Sequence, residues 1–129
     1  MYERGRDGQE IRHEARAGGI ATSIPLAVLV DKGSASAAEI IAGAIQDSGR
    51  GTLVGTTTYG KGSVQNWIPL SEEEGAVRVT IARWLTPKGR LIHEIGLTPE
   101  VVVTMTEEDI KAKLDPQLDA AIKILVEMK

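Results

Sequence analysis

Hydrophobic positions fall into short runs separated by glycine, proline and acidic punctuation, and the period of each run predicts its element. Leu26-Ala27-Val28-Leu29-Val30 is apolar on both faces, the pattern of a central parallel strand buried under helices. It ends at Asp31-Lys32-Gly33, and an alanine- and isoleucine-rich stretch comes next. There Ala37, Ile40, Ile41, Ala44 and Ile45 recur at helical spacing, predicting a helix from about Ser36 to Ser48 that stops at Gly49 and Gly51. Leu53-Val54-Gly55 reads as a second short strand. Ser63–Leu70 is extended, with Pro69 marking its end or a sheet edge. Ala76–Trp84 alternates: Val77, Val79 and Ile81 face one way and Arg78, Thr80 and Trp84 the other. Those two segments predict an antiparallel pair joined by a solvated acidic turn, Ser71–Gly75.

Punctuation organises the rest. Thr86-Pro87-Lys88-Gly89 and Leu97-Thr98-Pro99-Glu100 are turns, the second leading into a strand over Val101–Thr104. Thr106 with Asp109 starts a short helix. Asp115-Pro116 starts a longer one, whose apolar stripe is Leu118, Ala121, Ile122 and Leu125. At the other end, Tyr2–Ala17 is polar around Asp7-Gly8, a type I′ hairpin signal, and Gly18-Gly19 separates it from the core. The chain divides into an N-terminal hairpin (1–19), a core (20–105) and C-terminal helices (106–129). The fold class is α/β, with strands and helices interleaved and no internal repeat.

Composition narrows the functions. The 129 residues are 42% hydrophobic but only 3% aromatic, with no Phe, so the core is aliphatic. A net charge of −3 spread along the chain lacks the concentrated basic face that nucleic acid requires. The absence of cysteine excludes disulfides and thiolate metal sites, and no metal or cofactor is expected. No apolar run reaches membrane-spanning length and no signal-peptide pattern opens the chain. Met1-Tyr2-Glu3 reads as an entry in mid-structure, so a piece of a longer protein is expected.

The candidate chemistry starts at Ser36. Ser36-x-x-Glu39 has the form of a capping box, and Ser34 competes as a cap. A serine at a strand-to-helix turn is also a place for a nucleophile. There the Ala37 N–H and the helix dipole face a developing oxyanion, provided that the hydroxyl points away from its own helix. A nucleophilic serine needs a base. His13 and His93 are available, but neither lies near an Asp partner in sequence. Lys61, flanked by Gly60 and Gly62, is the stronger candidate. A lysine acts as a base only when neutral, and the Gln65 amide, four residues on in an extended segment, orients it without adding charge. Spacing alone leaves open the plain alternatives of a capping serine, a loop lysine and a surface glutamine.

Gly33-Ser34-Ala35-Ser36-Ala37-Ala38-Glu39, followed by Tyr59-Gly60-Lys61-Gly62-Ser63-Val64-Gln65, resembles the carboxy-terminal processing (tail-specific) proteases, serine peptidases with a Ser-Lys dyad helped by a Gln. A third block, Leu85–Arg90 through Gly96–Val101, resembles the next segment in that family, and the likeness runs from about Pro25 to Val103. The resemblance implies Ser36 as nucleophile rather than Ser34, Lys61 as general base, Gln65 as its support and Ala37 as one oxyanion-hole donor. Ala38 stands where the family often has a further serine. The fold implied is the C-terminal half of the protease domain, a partial ββα core of the Clp protease and crotonase type with a mixed sheet and flanking helices. The Asp-Leu-Arg-x-Asn-x-Gly-Gly stretch and the PDZ domain of the family are missing, and with the stretch goes a second oxyanion donor. The isolated piece is therefore expected to be inactive or nearly so, with open sheet edges prone to self-association. The partners implied are protein C-terminal tails, and the place of work is outside the bacterial cytoplasm, in the periplasm or at the inner membrane. A non-catalytic interaction module that retains the protease core is the alternative.

Overall fold

A computed structural model describes residues 1–71 and 74–128. Two sheets carry the architecture. An antiparallel sheet in the order β2-β1-β6-β5 is built from β1 (Tyr2–Gly5), β2 (Glu10–Arg12), β5 (Ser63–Ser71) and β6 (Gly75–Leu85). A parallel sheet in the order β3-β4-β7 is built from β3 (Ala27–Val30), β4 (Thr52–Gly55) and β7 (Val101–Val102). Helix α1 (Ala37–Ser48) packs on β4, and α3 (Pro116–Glu127) on β3 and β4; α2 (Glu107–Ala112) precedes α3. The fold is thus α/β, as expected, with parallel and antiparallel pairing divided between the two sheets.

The core is small and aliphatic. Val30, Ala42, Leu53, Ile92 and Leu97 form it, with Val28, Ile45 and Trp84 packed against them. The crossover from β3 through α1 to β4 is what the run-turn-helix pattern predicts, and the third block closes over it. Leu97 enters the core, and the Glu100 carboxylate accepts the Leu53 N–H at 2.9 Å. Both C-terminal helices start where the caps predict: Thr106 accepts from the Asp109 N–H, and Asp115 from the Leu118 N–H.

Five expectations need correction. β3 is an edge strand, with β4 in the centre, and Leu29 is 45% exposed. An apolar run signals burial but does not say which partners the chain itself supplies. The N-terminal hairpin does not use a two-residue type I′ turn. The pairing Arg4↔Glu10 and the bond from the Gly5 N–H to the Gln9 carbonyl leave a three-residue loop, Arg6-Asp7-Gly8. Gly8 takes the left-handed position there, at φ 82°. The inner face of α1 is only in part the Ile-Ala stripe: Ile45 packs against the core and Ile40 and Ala44 are half-buried, but Ile41 is 60% exposed, while Glu39, Ala42, Gly43 and Asp47 are buried. The strand expected over Val101–Thr104 is only Val101–Val102. Last, Lys61 and Gln65 do not share one uninterrupted extended segment: Lys61 lies in the loop before β5, and a register shift falls between Val64 and Gln65. Of the acidic turn Ser71–Gly75, residues 72 and 73 lie outside the described residues.

Candidate active site

The turn between β3 and α1 is built by Asp31. One of its carboxylate oxygens accepts the N–H groups of Gly33 at 2.9 Å and Ser34 at 3.0 Å, and the Ser34 hydroxyl at 3.2 Å. The Asp31 N–H in turn donates to the Ser34 hydroxyl at 3.1 Å. Ser34 is therefore consumed in holding the turn. Ser36 is not. It sits at the N-cap with φ 59° and ψ −120°, a conformation that side-chain-bearing residues adopt rarely and at a cost of about 1–3 kcal/mol. Its Oγ occupies the capping-box position near the Glu39 N–H but makes no capping hydrogen bond, because that N–H donates to the Ser36 carbonyl at 2.9 Å. Only the reciprocal half of the box is bonded: the Ser36 N–H donates to Glu39 Oε2 at 3.0 Å. The Ala37 N–H, at the first helical position, has no hydrogen-bond partner among the described residues.

Glu39 joins this turn to the lysine loop. Its side chain is fully buried and accepts four hydrogen bonds. Oε2 takes the N–H of Ser36 at 3.0 Å and of Lys61 at 2.8 Å; Oε1 takes the N–H of Gly60 at 2.6 Å and the Thr58 hydroxyl at 2.5 Å. Sharing one oxygen bounds the separation of the Ser36 and Lys61 backbone nitrogens at 5.8 Å. A further bond runs from the Tyr59 N–H to the Ser34 carbonyl at 3.0 Å. Thr58, also buried, passes the link on by accepting the Leu97 N–H at 2.8 Å. The loop is pressed from behind by residues 92–96. A Cβ on Gly62 would stand 2.6 Å from the His93 backbone nitrogen, so that position admits no side chain.

Lys61 and Gln65 line one open cleft of about 440 Å³ with Tyr59, Arg78 and His93. The two residues thus border one cleft in spite of the loop and the register shift. Gln65 Nε2 donates to the Thr80 hydroxyl at 3.2 Å, and its amide oxygen has no partner among the described residues. The histidines part company. His13 lies in the N-terminal hairpin, bonded to Glu3 at 3.2 Å and tilted against Trp84. His93 borders the lysine cleft, its Nδ1 buried without a partner among the described residues. No group of acidic or histidine side chains able to hold a metal occurs among the described residues.

Three further polar groups escape a reading by sequence. On α1, Asp47 accepts the Lys88 N–H at 2.8 Å and pairs with Arg90, which also donates to Gln46 at 2.7 Å. Burial by itself would raise the Asp47 pKa. The Thr86 hydroxyl, the Lys88 N–H and the Arg90 guanidinium together outweigh it and hold the carboxyl below the ordinary aspartate value of 3.8. Glu100 and Glu39 complete the set. The capping-box spacing flagged Glu39, but nothing local marks its bonds to Thr58, Gly60 and Lys61.

The model of peptidase family S41 matches residues 1–103. The chain belongs to peptidase family S41. Among S41 relatives, a carboxy-terminal-processing protease of Bartonella bacilliformis is 50% identical over 101 residues, covering 78% of this chain and 23% of its own. A carboxyl-terminal-processing protease of Synechocystis is 41% identical over 128 residues, 97% of this chain and 30% of its own. The solved photosystem II D1 C-terminal processing protease superposes with a TM-score of 0.59 at 45% identity, over 64% of this chain and 21% of that one. A putative peptidase from Parabacteroides merdae shares the fold alone, with a TM-score of 0.69 at 23% identity over 96% of this chain and 41% of its own. This S41 chain therefore spans less than a third of the length of the curated relatives it matches.

Proposed function

We propose that this chain carries the Ser-Lys dyad of a serine-type endopeptidase that cleaves peptide bonds near protein C-termini. Ser36 is the nucleophile and Lys61 the general base, Gln65 orients Lys61 through its free amide oxygen, and the Ala37 N–H is one oxyanion donor. Glu39 is the observation that carries the reading, because one buried carboxylate oxygen holds the backbone of both dyad residues. The strained φ and ψ at Ser36 support it, since a residue that only caps a helix has no need of them.

In the reaction, neutral Lys61 takes the Ser36 hydroxyl proton as Oγ attacks the scissile carbonyl. The tetrahedral oxyanion collects at the Ala37 N–H and the positive end of α1. The proton passes from Lys61 to the leaving amine, and an acyl-enzyme at Ser36 remains. Lys61 then deprotonates water, which hydrolyses the ester and returns the proton to Ser36. A single oxyanion donor is too few: losing one typically costs about 10²–10³ in turnover. The isolated 129-residue chain is therefore inactive or nearly so. Measurable turnover of an unstructured peptide by that chain, abolished in Ser36→Ala, contradicts this part of the proposal.

Protein C-terminal tails are the substrates, and the site of action is extracytoplasmic. The open edge of β3 is where further strands, from the same protein or another copy, add to the parallel sheet. The test of the dyad uses a chimera in which these residues replace the matching segment of the Bartonella bacilliformis protease. Peptide hydrolysis is expected in the chimera and absent from its Ser36→Ala and Lys61→Ala variants. Full activity in Lys61→Ala refutes the dyad. A non-catalytic module predicts no hydrolysis by any of the three.

A further inference from the structure

β6 is paired on both sides for only part of its length. β5 runs beside it from Ser63↔Arg83 to Ser71↔Gly75, but β1 covers it only from Tyr2↔Leu85 to Gly5↔Ala82. From Ala76 to Ile81 the β1-side edge of β6 has no strand neighbour among the described residues. Such an edge offers a row of N–H and C=O groups to an added strand.

Where β1 leaves β6, a cleft of about 570 Å³ opens, lined among others by Arg4, Arg6, Arg83, Ile81, Leu85 and Leu91. Its charge is one-sided. The cross-sheet register sets Glu10, Arg4, Arg83 and Ser63 in one row. Glu10 is engaged by Arg4, with contacts of 2.8 and 2.6 Å. Arg83 stands directly opposite Arg4, an arrangement that destabilises a sheet when the charges are alike. Among the described residues neither Arg83 nor Arg6 has an acidic partner.

We infer that the free edge of β6 and this arginine cleft form a docking site for an extended peptide that ends in a free carboxylate. The backbone adds as a strand along residues 76–81. The terminal carboxylate meets the guanidinium forks of Arg83 and Arg6, whose planar donors match it bidentately. Ile81, Leu85 and Leu91 give an apolar wall for the last side chain. The cleft shares no lining residue with that of Lys61 and Gln65, although Arg78 of the latter lies on the same strand segment and Thr80 accepts from Gln65, and docking does not use the dyad.

Fluorescence anisotropy on the 129-residue chain tests it with a labelled unstructured peptide ending in a free C-terminal leucine. Saturable binding is expected, weakened at least about tenfold by C-terminal amidation, and by Arg83→Gln or Arg6→Gln with unchanged circular dichroism. Ser36→Ala binds like the wild type, so failure of the dyad and failure of this site are distinguishable. Decanoate, which offers the carboxylate and apolar stem without a backbone, competes at least about tenfold less well than the unlabelled peptide. Equal binding of acid and amide, lack of saturable binding, or wild-type affinity in both folded arginine variants overturns the site. Loss of binding in Ser36→Ala overturns its separateness, and decanoate competing as well as the peptide overturns strand addition.

Discussion

Helix α1 presents two buried carboxylates on its inner face, about two turns apart, and they are satisfied in opposite ways. Asp47, near the C-terminal end, takes a cation: Arg90 pairs with it while the Lys88 N–H caps its other oxygen. Glu39, in the first turn, takes only uncharged donors, three backbone N–H groups and the Thr58 hydroxyl. Asp47 pins the 86–90 turn to the helix. Glu39 draws two loops to one point, and those loops carry Ser36 and Lys61. A buried carboxylate saturated by backbone donors fixes main-chain positions more tightly than an ion pair with a long, partly exposed arginine.

That contrast sets the order of expected effects. Glu39→Ala strands four donors in a dry pocket and destabilises the chain by at least about 3 kcal/mol in urea denaturation. A loss below about 1 kcal/mol would break the comparison, since each stranded donor alone costs about that much. Asp47→Asn, which retains shape and some hydrogen bonding, costs about 1–3 kcal/mol and leaves the Ser36 and Lys61 loops in place. Gly62→Ala tests the same loop from behind. Its methyl group meets the His93 backbone, so an overpacking cost of about 1–3 kcal/mol is expected, with hydrolysis by the chimera reduced. Wild-type activity in that variant would show that the position of the loop is not critical.

The smallest effect is the pH dependence carried by Asp47. Its folded pKa lies below the unfolded value of 3.8. The unfolded state therefore binds the proton more readily, and the stabilisation is fully present well above pH 3.8 and lost as pH falls through the folded pKa. Urea midpoints measured against pH are expected to lose part of their decline below about pH 4 in Asp47→Asn. An identical acid decline in variant and wild type contradicts the assignment.

How much of the molecule was legible depended on distance along the chain. The strand-turn-helix at 26–48, the antiparallel pair and the caps at Thr106 and Asp115 are set by neighbours a few residues apart, and sequence pattern reads them correctly. The inner face of α1 was legible only in part. Hydrophobic periodicity ranks Ile41 above Glu39, yet donors from residues 58–61 turn a carboxylate into a core residue. The edge position of β3 was hidden for a similar reason, because Leu29 shows its apolar character but not whether a neighbouring strand is present. At the candidate site, sequence pattern singled out Ser36, Lys61 and Gln65, while the register shift at Val64 and the bridge through Glu39 were not legible. His93 has no Asp partner in its local sequence, and the packing of 92–96 against Gly62 brings it to the cleft.

Labelling by a fluorophosphonate, with the modified residue mapped by mass spectrometry, tests the central claim most directly. In the chimera, the account predicts a single adduct on Ser36, absent in Ser36→Ala and formed at least about 10²-fold more slowly in Lys61→Ala, the order of a lost general base. An adduct on Ser34, or one on Ser36 that forms at an undiminished rate without Lys61, contradicts it.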